Sequence, residues 1–529
     1  MKSLMKKVFA AAAAIATVFG LAATTVATAN AAGGNATLTV STTDAKFAGK
    51  TVNAYKMFSA TVSSDGKAVS HTLTDEWKPF FKNSVGLTGV TDENVNDKAN
   101  DYVSKLKDST LVAFATKASN WAQTKANNIT ADATATVSAD ASNGKYTATF
   151  TGLGYGYYVV AVPGATLANA KSQYATLVSV HSTKVDADIK GDLPTVDKKV
   201  QVDGTGKDAT DAKIGDTLTF TLTSTIPDMS AYDTYTFNFK DTLSKGLTFG
   251  QVKSVKVENV TLTENTDYTV TTPTASNNNT LTVAMKDFKT KQQANAGKKI
   301  TVTYTATLNK DAVVGGAGNV NSATIQYSNN PSTNGTGESE PSKVRVFTYG
   351  FTVDKYTGDQ YTDAATRLAG AEFTLAHKDG SAISFVQVSA GSATANAVYR
   401  VAKAGETGTT TITTPANGKV VFEGLKNGEY TLTETKAPAG YNKLASAIGV
   451  KVNGQNNGTD TTNATVTITY NNDNGNDYNQ TASNGVIPVQ NKSGAILPGT
   501  GGMGTIAFTV IGVLVIALGV AWTLKRKNA

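Results

Sequence analysis

The chain has 529 residues and a formal net charge of +7, long enough for three or four domains of ordinary size. Six basic residues (Lys2, Lys6, Lys7, Lys525, Arg526 and Lys527) sit at its extreme ends, so the body between them carries only about +1, which excludes the electrostatic footprint of a nucleic-acid binder. Cysteine is absent, which excludes disulfides as the extracellular cross-link.

In chain order, three lysines precede an apolar stretch from Val8 to Leu21, and a small-residue pattern follows at Ala29-Asn30-Ala31. This predicts a secretory signal over 1–31. The body beyond it is rich in Thr, Val, Asn and Gly. From Asn94 to Asn127 the apolar positions Tyr102, Val103, Leu106, Leu111, Phe114 and Trp121 predict one or two helices inserted into the first domain. Gly152 to Tyr158 reads as a turn feeding a strand. Period-2 alternation at Thr217–Leu222, Thr234–Phe239, Thr301–Leu308 and Ala464–Tyr470 predicts half-buried antiparallel strands. Asn417-Gly418 and Asn427-Gly428 supply turn chemistry. The fold class is therefore mainly β, as tandem β-sandwich domains. Asp192-Leu193-Pro194 and Glu340-Pro341-Ser342 read as joints, each before a fresh strand, near Val196 and Val344. They divide the body into domains at 32–191, 192–342 and 343–495.

The second and third domains share a constellation. Each opens with Val-Asp-Lys, at Val196-Asp197-Lys198 and Val353-Asp354-Lys355, and ends on a strand carrying Asn, with an acid at a strand end between. Side chains alternate along a strand, so i and i+2 share a face. Lys198 thus shares a face with Val196 and Val200, Asp241 with Phe237 and Phe239, and Asn321 with Ala323, Ile325 and Tyr327. Likewise Lys355 continues the row of Phe351 and Val353, Glu434 that of Tyr430 and Leu432, and Asn491 that of Ile487 and Val489. Lys199 falls on the opposite face from Lys198.

Burial without full compensation lowers a lysine's pKa and raises an acid's. A neutral amine is a nucleophile. A protonated carboxyl group can polarise the asparagine carbonyl and shuttle protons. The amine then attacks the amide, ammonia leaves, and a Lys–Asn isopeptide bond joins the first and last strands. Such a bond supplies the cross-link that cysteine does not. The alternative is a strand-edge lysine that snorkels into water.

From Thr505 to Leu524 no side chain is charged, and Lys525-Arg526-Lys527 follow. This predicts a C-terminal transmembrane helix with a basic cytoplasmic tail. Just before it stands Leu497-Pro498-Gly499-Thr500-Gly501. The ordered set over 496–529 resembles a sortase sorting signal of the LPXTG type. That resemblance implies a transpeptidase that cuts between Thr500 and Gly501 and joins the Thr500 carbonyl to an amine, anchoring the chain to a Gram-positive cell wall. An ordinary single-pass anchor is the alternative.

Further motifs extend the resemblance to nearly the whole chain. Tyr430-Thr431-Leu432-Thr433-Glu434-Thr435-Lys436-Ala437-Pro438-Ala439-Gly440-Tyr441 looks like the E-box of a CnaB-type domain, and Leu368-Ala369-Gly370-Ala371-Glu372-Phe373 like that family's early strand motif. Phe239 to Leu247 and Tyr327-Ser328-Asn329-Asn330-Pro331 look like a pilin middle domain. The sequence resembles the backbone pilins of sortase-assembled Gram-positive pili. The resemblance implies immunoglobulin-like CnaA/CnaB-type sandwiches, Glu434 promoting a Lys355–Asn491 bond, and Asp241 promoting a Lys198–Asn321 bond. It also implies a linkage lysine near the end of the first domain. The nearest match to that motif is Val185-Asp186-Ala187-Asp188-Ile189-Lys190-Gly191, which gives Lys190, with Lys184 as the alternative.

The expected function is a non-enzymatic shaft subunit of a surface fimbrium that supports adhesion. Its only chemistry is autocatalytic, and it takes no cofactor and no metal. Expected partners are sortases, identical subunits, and peptidoglycan or a basal pilin. A monomeric wall-anchored adhesin is the alternative. A surface hydrolase is disfavoured, because His71, His181 and His377 fall in no triad or metal-ligand spacing.

Overall fold

Every residue of the strand Gly156–Ala161 is buried, which requires cover on both faces of its sheet. The computed structural model describes residues 35–63, 69–166, 175–331, 334–455, 464–472 and 477–494. The predicted secretory signal and the sorting segment lie outside these. Among the described residues no helix is long and apolar enough to cross a membrane.

The first unit has three layers. Strands Val69–Leu73, Thr51–Val62, Gly156–Ala161 and Ala175–Val180 form one sheet in that order. Tyr157, Val159 and Ala161 point to a core shared with helices. Tyr158 and Val160 point the other way, onto a sheet of Tyr146–Leu153, Ala36–Thr42 and Lys184–Asp188. The predicted helical stretch is two helices, Val95–Ser104 and Asp108–Gln123. Val95, Ala99 and Val103 are buried on one, and Phe114, Ala115, Ala118 and Ala122 on the other, spacings of three to four that give one apolar face. A six-residue helix, Lys78–Asn83, adds Phe80 and Phe81. It is too short for periodicity to have revealed it.

The second unit is a sandwich. One sheet runs in the order Thr205–Lys207, Asp197–Val202, Thr217–Thr225, Lys299–Leu308, Leu247–Val257, Val260–Thr261. The other runs Ala209–Asp211, Ser342–Phe347, Asn319–Ser328, Phe237–Leu243, Thr280–Met285, Tyr268–Thr271. The third unit pairs a sheet of Phe385–Ser389, Ala397–Val401, Lys419–Leu425, Tyr349–Tyr356 and Val486–Gln490 with one containing Glu372–His377, Gly428–Lys436, Ile448–Gln455 and Thr465–Asn471. The chain is mainly β, as tandem sandwiches.

Two details differ from the sequence reading. The strand expected to open the third unit near Val344 pairs instead with Asn319–Ala323 of the second, because Val344 and Val346 complete that apolar core. The third sandwich's own first strand is Tyr349–Tyr356. For the same reason Asn321 is not on the last strand of its sheet. The stretches expected as antiparallel strands pair so, while pairs elsewhere are parallel, including Thr37 with Lys184 and Lys355 with Val489. Alternation reports which face is buried, not strand direction.

The second and third sandwiches meet through specific contacts. Ile214 N donates to Gly424 O at 3.0 Å. Asp211 accepts from Asn427 N at 2.7 Å and from Asn427 Nδ2 at 3.1 Å. Gly424 has φ +83°, and a Cβ there would lie 2.7 Å from Ile214, so the joint needs glycine at this position.

Candidate functional site

In the second sandwich Lys198 lies on Asp197–Val202, opposite Leu222 of the neighbouring strand. Val196 and Val200 on its face are core residues, which draws the lysine inward, and it is 0% exposed. Asp241 and Asn321, also 0% exposed, come from the facing sheet. Their strands are neighbours, with Leu243 opposite Asn321 and Asp241 opposite Ala323, so acid and amide are diagonal partners on one face. Lys198 Nζ pairs with Asp241 Oδ2 across the sandwich. Lys199 points away and bonds to Asp208 at 2.6 Å.

Tyr304, on Lys299–Leu308, joins this group and was not singled out by the sequence reading. Its hydroxyl accepts from Lys198 Nζ at 2.9 Å and from Asn321 Nδ2 at 2.6 Å, and donates to Asp241 Oδ2 at 2.6 Å. The signal was present: Ile300, Val302, Tyr304, Ala306 and Leu308 alternate as one buried row, and an inward tyrosine hydroxyl calls for a partner. The ring stacks on Phe220 at 5.3 Å, and Lys198 Nζ lies 5.2 Å from each ring centre.

The third sandwich repeats the chemistry with a different geometry. Lys355 is on its first strand and pairs in parallel with the last, Val486–Gln490. Asn491 follows that strand, and its backbone N donates to Tyr356 O at 2.9 Å. Lys355 Nζ lies 3.3 Å from Glu434 Oε1 and 3.2 Å from Val489 O. Asn491 Nδ2 donates to Glu434 Oε2 at 3.0 Å and to Asn442 O at 2.9 Å. Leu444 N also donates to Glu434 Oε2, at 2.8 Å. All three side chains are buried.

Burial pushes the Lys198 amine down to about 8 against the pull of Asp241, and burial likewise pushes Lys355 down to about 8 against Glu434. A lysine brought toward neutral pH is a usable nucleophile. Each cluster also leaves its amide oxygen without a hydrogen-bond donor, Asn321 Oδ1 in one and Asn491 Oδ1 in the other, and the second sandwich leaves Asp241 Oδ1 so as well. An orphaned buried acceptor costs about 1–3 kcal/mol. A proton on the acid that is donated to the amide oxygen would satisfy it, and would polarise the amide for attack.

Among the described residues, 35–191 contain no buried lysine or carboxylate, so the first unit presents no comparable cluster. Lys184 opens the strand Lys184–Asp188 and is exposed. Lys190 lies just beyond it, with Nζ 3.3 Å from Asp188 Oδ2. Leu497, Pro498, Gly499, Thr500 and Gly501 lie outside the described residues. The histidines form no triad there. His181 Nδ1 meets Ser179 Oγ at 3.2 Å, while His71 packs edge-on against Phe58. No group of three or more His, Cys, Asp or Glu that could hold a metal occurs among the described residues.

Two family models match the chain. Residues 214–331 match the Gram-positive pilin backbone subunit 2, Cna-B-like domain, and residues 359–467 match a prealbumin-like fold domain. A curated relative, the trypsin-resistant surface T6 protein of Streptococcus pyogenes serotype M6, is 26% identical over 279 residues, covering 48% of this chain and 44% of the relative. The match thus spans less than half of that protein's length. Among solved structures, the T6 backbone pilin of serotype M6 Streptococcus pyogenes is 18% identical, covers 87% of this chain and 99% of its own, and has a TM-score of 0.46. The full-length major pilin SpaD from Corynebacterium diphtheriae is 20% identical, covers 87% and 98%, and has a TM-score of 0.40. Over 214–331 the chain thus carries a domain of the Gram-positive pilin backbone type.

Proposed function

We propose that the chain is the shaft subunit of a covalently polymerised surface pilus, with each of its two buried clusters closing into an isopeptide bond. The observation that carries this reading is the repeated burial of a lysine, an acid and an asparagine whose amide oxygen is left without a donor. A shaft subunit transmits tension along its length, and a bond between strands of one sandwich resists unravelling. The bonds are Lys198–Asn321, promoted by Asp241, and Lys355–Asn491, promoted by Glu434. Each forms once and turns over nothing else. The sorting signal then serves as a joint. A pilus-type sortase cleaves after Thr500 and passes its carbonyl to Lys190 of the next subunit, with Lys184 as the alternative acceptor. Head-to-tail joining of this kind does not close on itself and so yields a fibre. The basal copy, or a separate basal subunit, is attached to peptidoglycan, and the fibre presents adhesive surfaces outward.

Cell-wall extracts separated by denaturing electrophoresis test the polymer. The expected result is a high-mass ladder that collapses to monomer in Lys190→Ala. A ladder that survives in the Lys190→Ala/Lys184→Ala double variant would rule out both lysines. A wild-type extract containing monomer alone would favour the wall-anchored adhesin.

A further inference from the structure

We propose that Tyr304 is a catalytic residue of the Lys198–Asn321 cross-link, relaying a proton from Asp241 to the departing amide nitrogen of Asn321. The inference rests on the isopeptide reading above and assigns a group that the third sandwich does without.

The two clusters differ in how the acid reaches the leaving group. Glu434 Oε2 touches Asn491 Nδ2 directly at 3.0 Å. Asn321 Nδ2 instead bonds to Tyr304 Oη at 2.6 Å, and Tyr304 in turn donates to Asp241 Oδ2 at 2.6 Å. A tyrosine hydroxyl has one proton to donate and two lone pairs. Here the proton goes to the acid, and the lone pairs accept from nucleophile and leaving group. The hydroxyl is therefore in contact with every nitrogen whose protonation must change. Burial, reinforced by the Asp241 carboxylate, holds the hydroxyl well above its ordinary range, so it stays protonated and passes a proton on rather than losing one.

The proton balance closes without an outside reagent. The Lys198 ammonium gives one proton to the Asp241 carboxylate. The freed Nζ lone pair forms a bond to Asn321 Cγ, and the carbonyl π pair moves onto Oδ1. Tyr304 donates its proton to Nδ2 and is reprotonated by Asp241. The Oδ1 pair reforms the carbonyl, the Cγ–Nδ2 bond breaks, and ammonia leaves. Asp241 takes the surplus proton from Nζ and finally yields it to the ammonia, which departs as ammonium.

Intact-mass time courses on the folded protein test this. Tyr304→Phe keeps the ring and its stack on Phe220 while removing the oxygen. Loss of a general acid costs on the order of 10²-fold in rate, so this variant should carry only the third-sandwich bond when the wild type carries both. Phe249→Leu removes a ring that packs against Tyr304 at 6.0 Å but keeps the hydroxyl and its partners, and should cross-link at the wild-type pace. Tyr304→Phe reaching the doubly linked mass as fast as wild type overturns the relay. So does Phe249→Leu failing as Tyr304→Phe does, since packing would then be the cause. A wild-type protein of full sequence mass would be a different failure, that of the isopeptide reading itself.

Discussion

Asn491→Ala should destabilise the third sandwich by about 5 kcal/mol and leave the second unchanged, because it removes one end of the proposed cross-link, which closes a loop of more than a hundred residues. The substitution removes the electrophile but keeps Lys355 beside Glu434, so no buried charge is left alone. Denaturant unfolding, with the transition assigned by domain-specific probes, reads the effect. The same variant should also acquire a pH dependence that the wild type lacks. With the proposed bond formed, the wild-type Lys355 Nζ is an amide and does not titrate. In Asn491→Ala it is a free amine that burial holds near 8, below its ordinary value of about 10.4. Between these values the unfolded chain binds a proton that the folded chain does not, so stability should rise with pH across that window. Below about 8 the amine is charged in both states, and none of that gain is present. A variant as stable as wild type, with a flat profile from pH 7 to 10, would contradict the prediction.

Glu434→Ala should be the more damaging change. It prevents the Lys355–Asn491 bond, which costs the same 5 kcal/mol or so, and it also strips a fully buried lysine of its acid, for a further penalty of about 3–5 kcal/mol. Together these approach the whole stability of an ordinary domain, about 5–15 kcal/mol. Trypsin should therefore digest 349–494 in this variant and spare the second sandwich. Adding Asn491→Ala to Glu434→Ala should change little, since the bond is already absent. That non-additivity is the signature of two residues serving one reaction. Full additivity would show that each acts only through its own packing.

Much of the candidate site was legible because a strand repeats every two residues. Lys198 between Val196 and Val200, and Glu434 beyond Tyr430 and Leu432, had to face the core if their apolar neighbours did, and all are buried. The helical insertion was equally legible from its spacing. Pairing partners were not. Val344 and Val346 alternate like any strand, and only the open edge beside Asn319–Ala323 decides which sandwich takes them. Nor does alternation reveal that the first and last strands of the third sandwich are parallel neighbours, the arrangement that brings Asn491 to Glu434. Tyr304 was overlooked because an inward tyrosine in a threonine-rich strand reads as core. Its hydroxyl acquires a role only when the facing sheet brings Asp241 and Asn321 within hydrogen-bonding distance.

The joint at Asp211 and Asn427 bears on how such a chain would carry load. Ile214 and Ala209 of the second sandwich belong to the same apolar cluster as Tyr349 and Phe351 of the third, so the link is packed into the third core. Tension entering behind Asn491 would reach the Lys355–Asn491 clamp first, then this packed joint, then the Lys198–Asn321 clamp.

Both clusters should be closed bonds in the mature protein. Intact mass of the purified body, followed by tryptic mapping, measures this directly. Each bond expels one ammonia, about 17 Da, so the protein should weigh about 34 Da less than its sequence, with branched peptides joining Lys198 to Asn321 and Lys355 to Asn491. A mass equal to that of the sequence, with all four residues recovered in unbranched peptides, would contradict it.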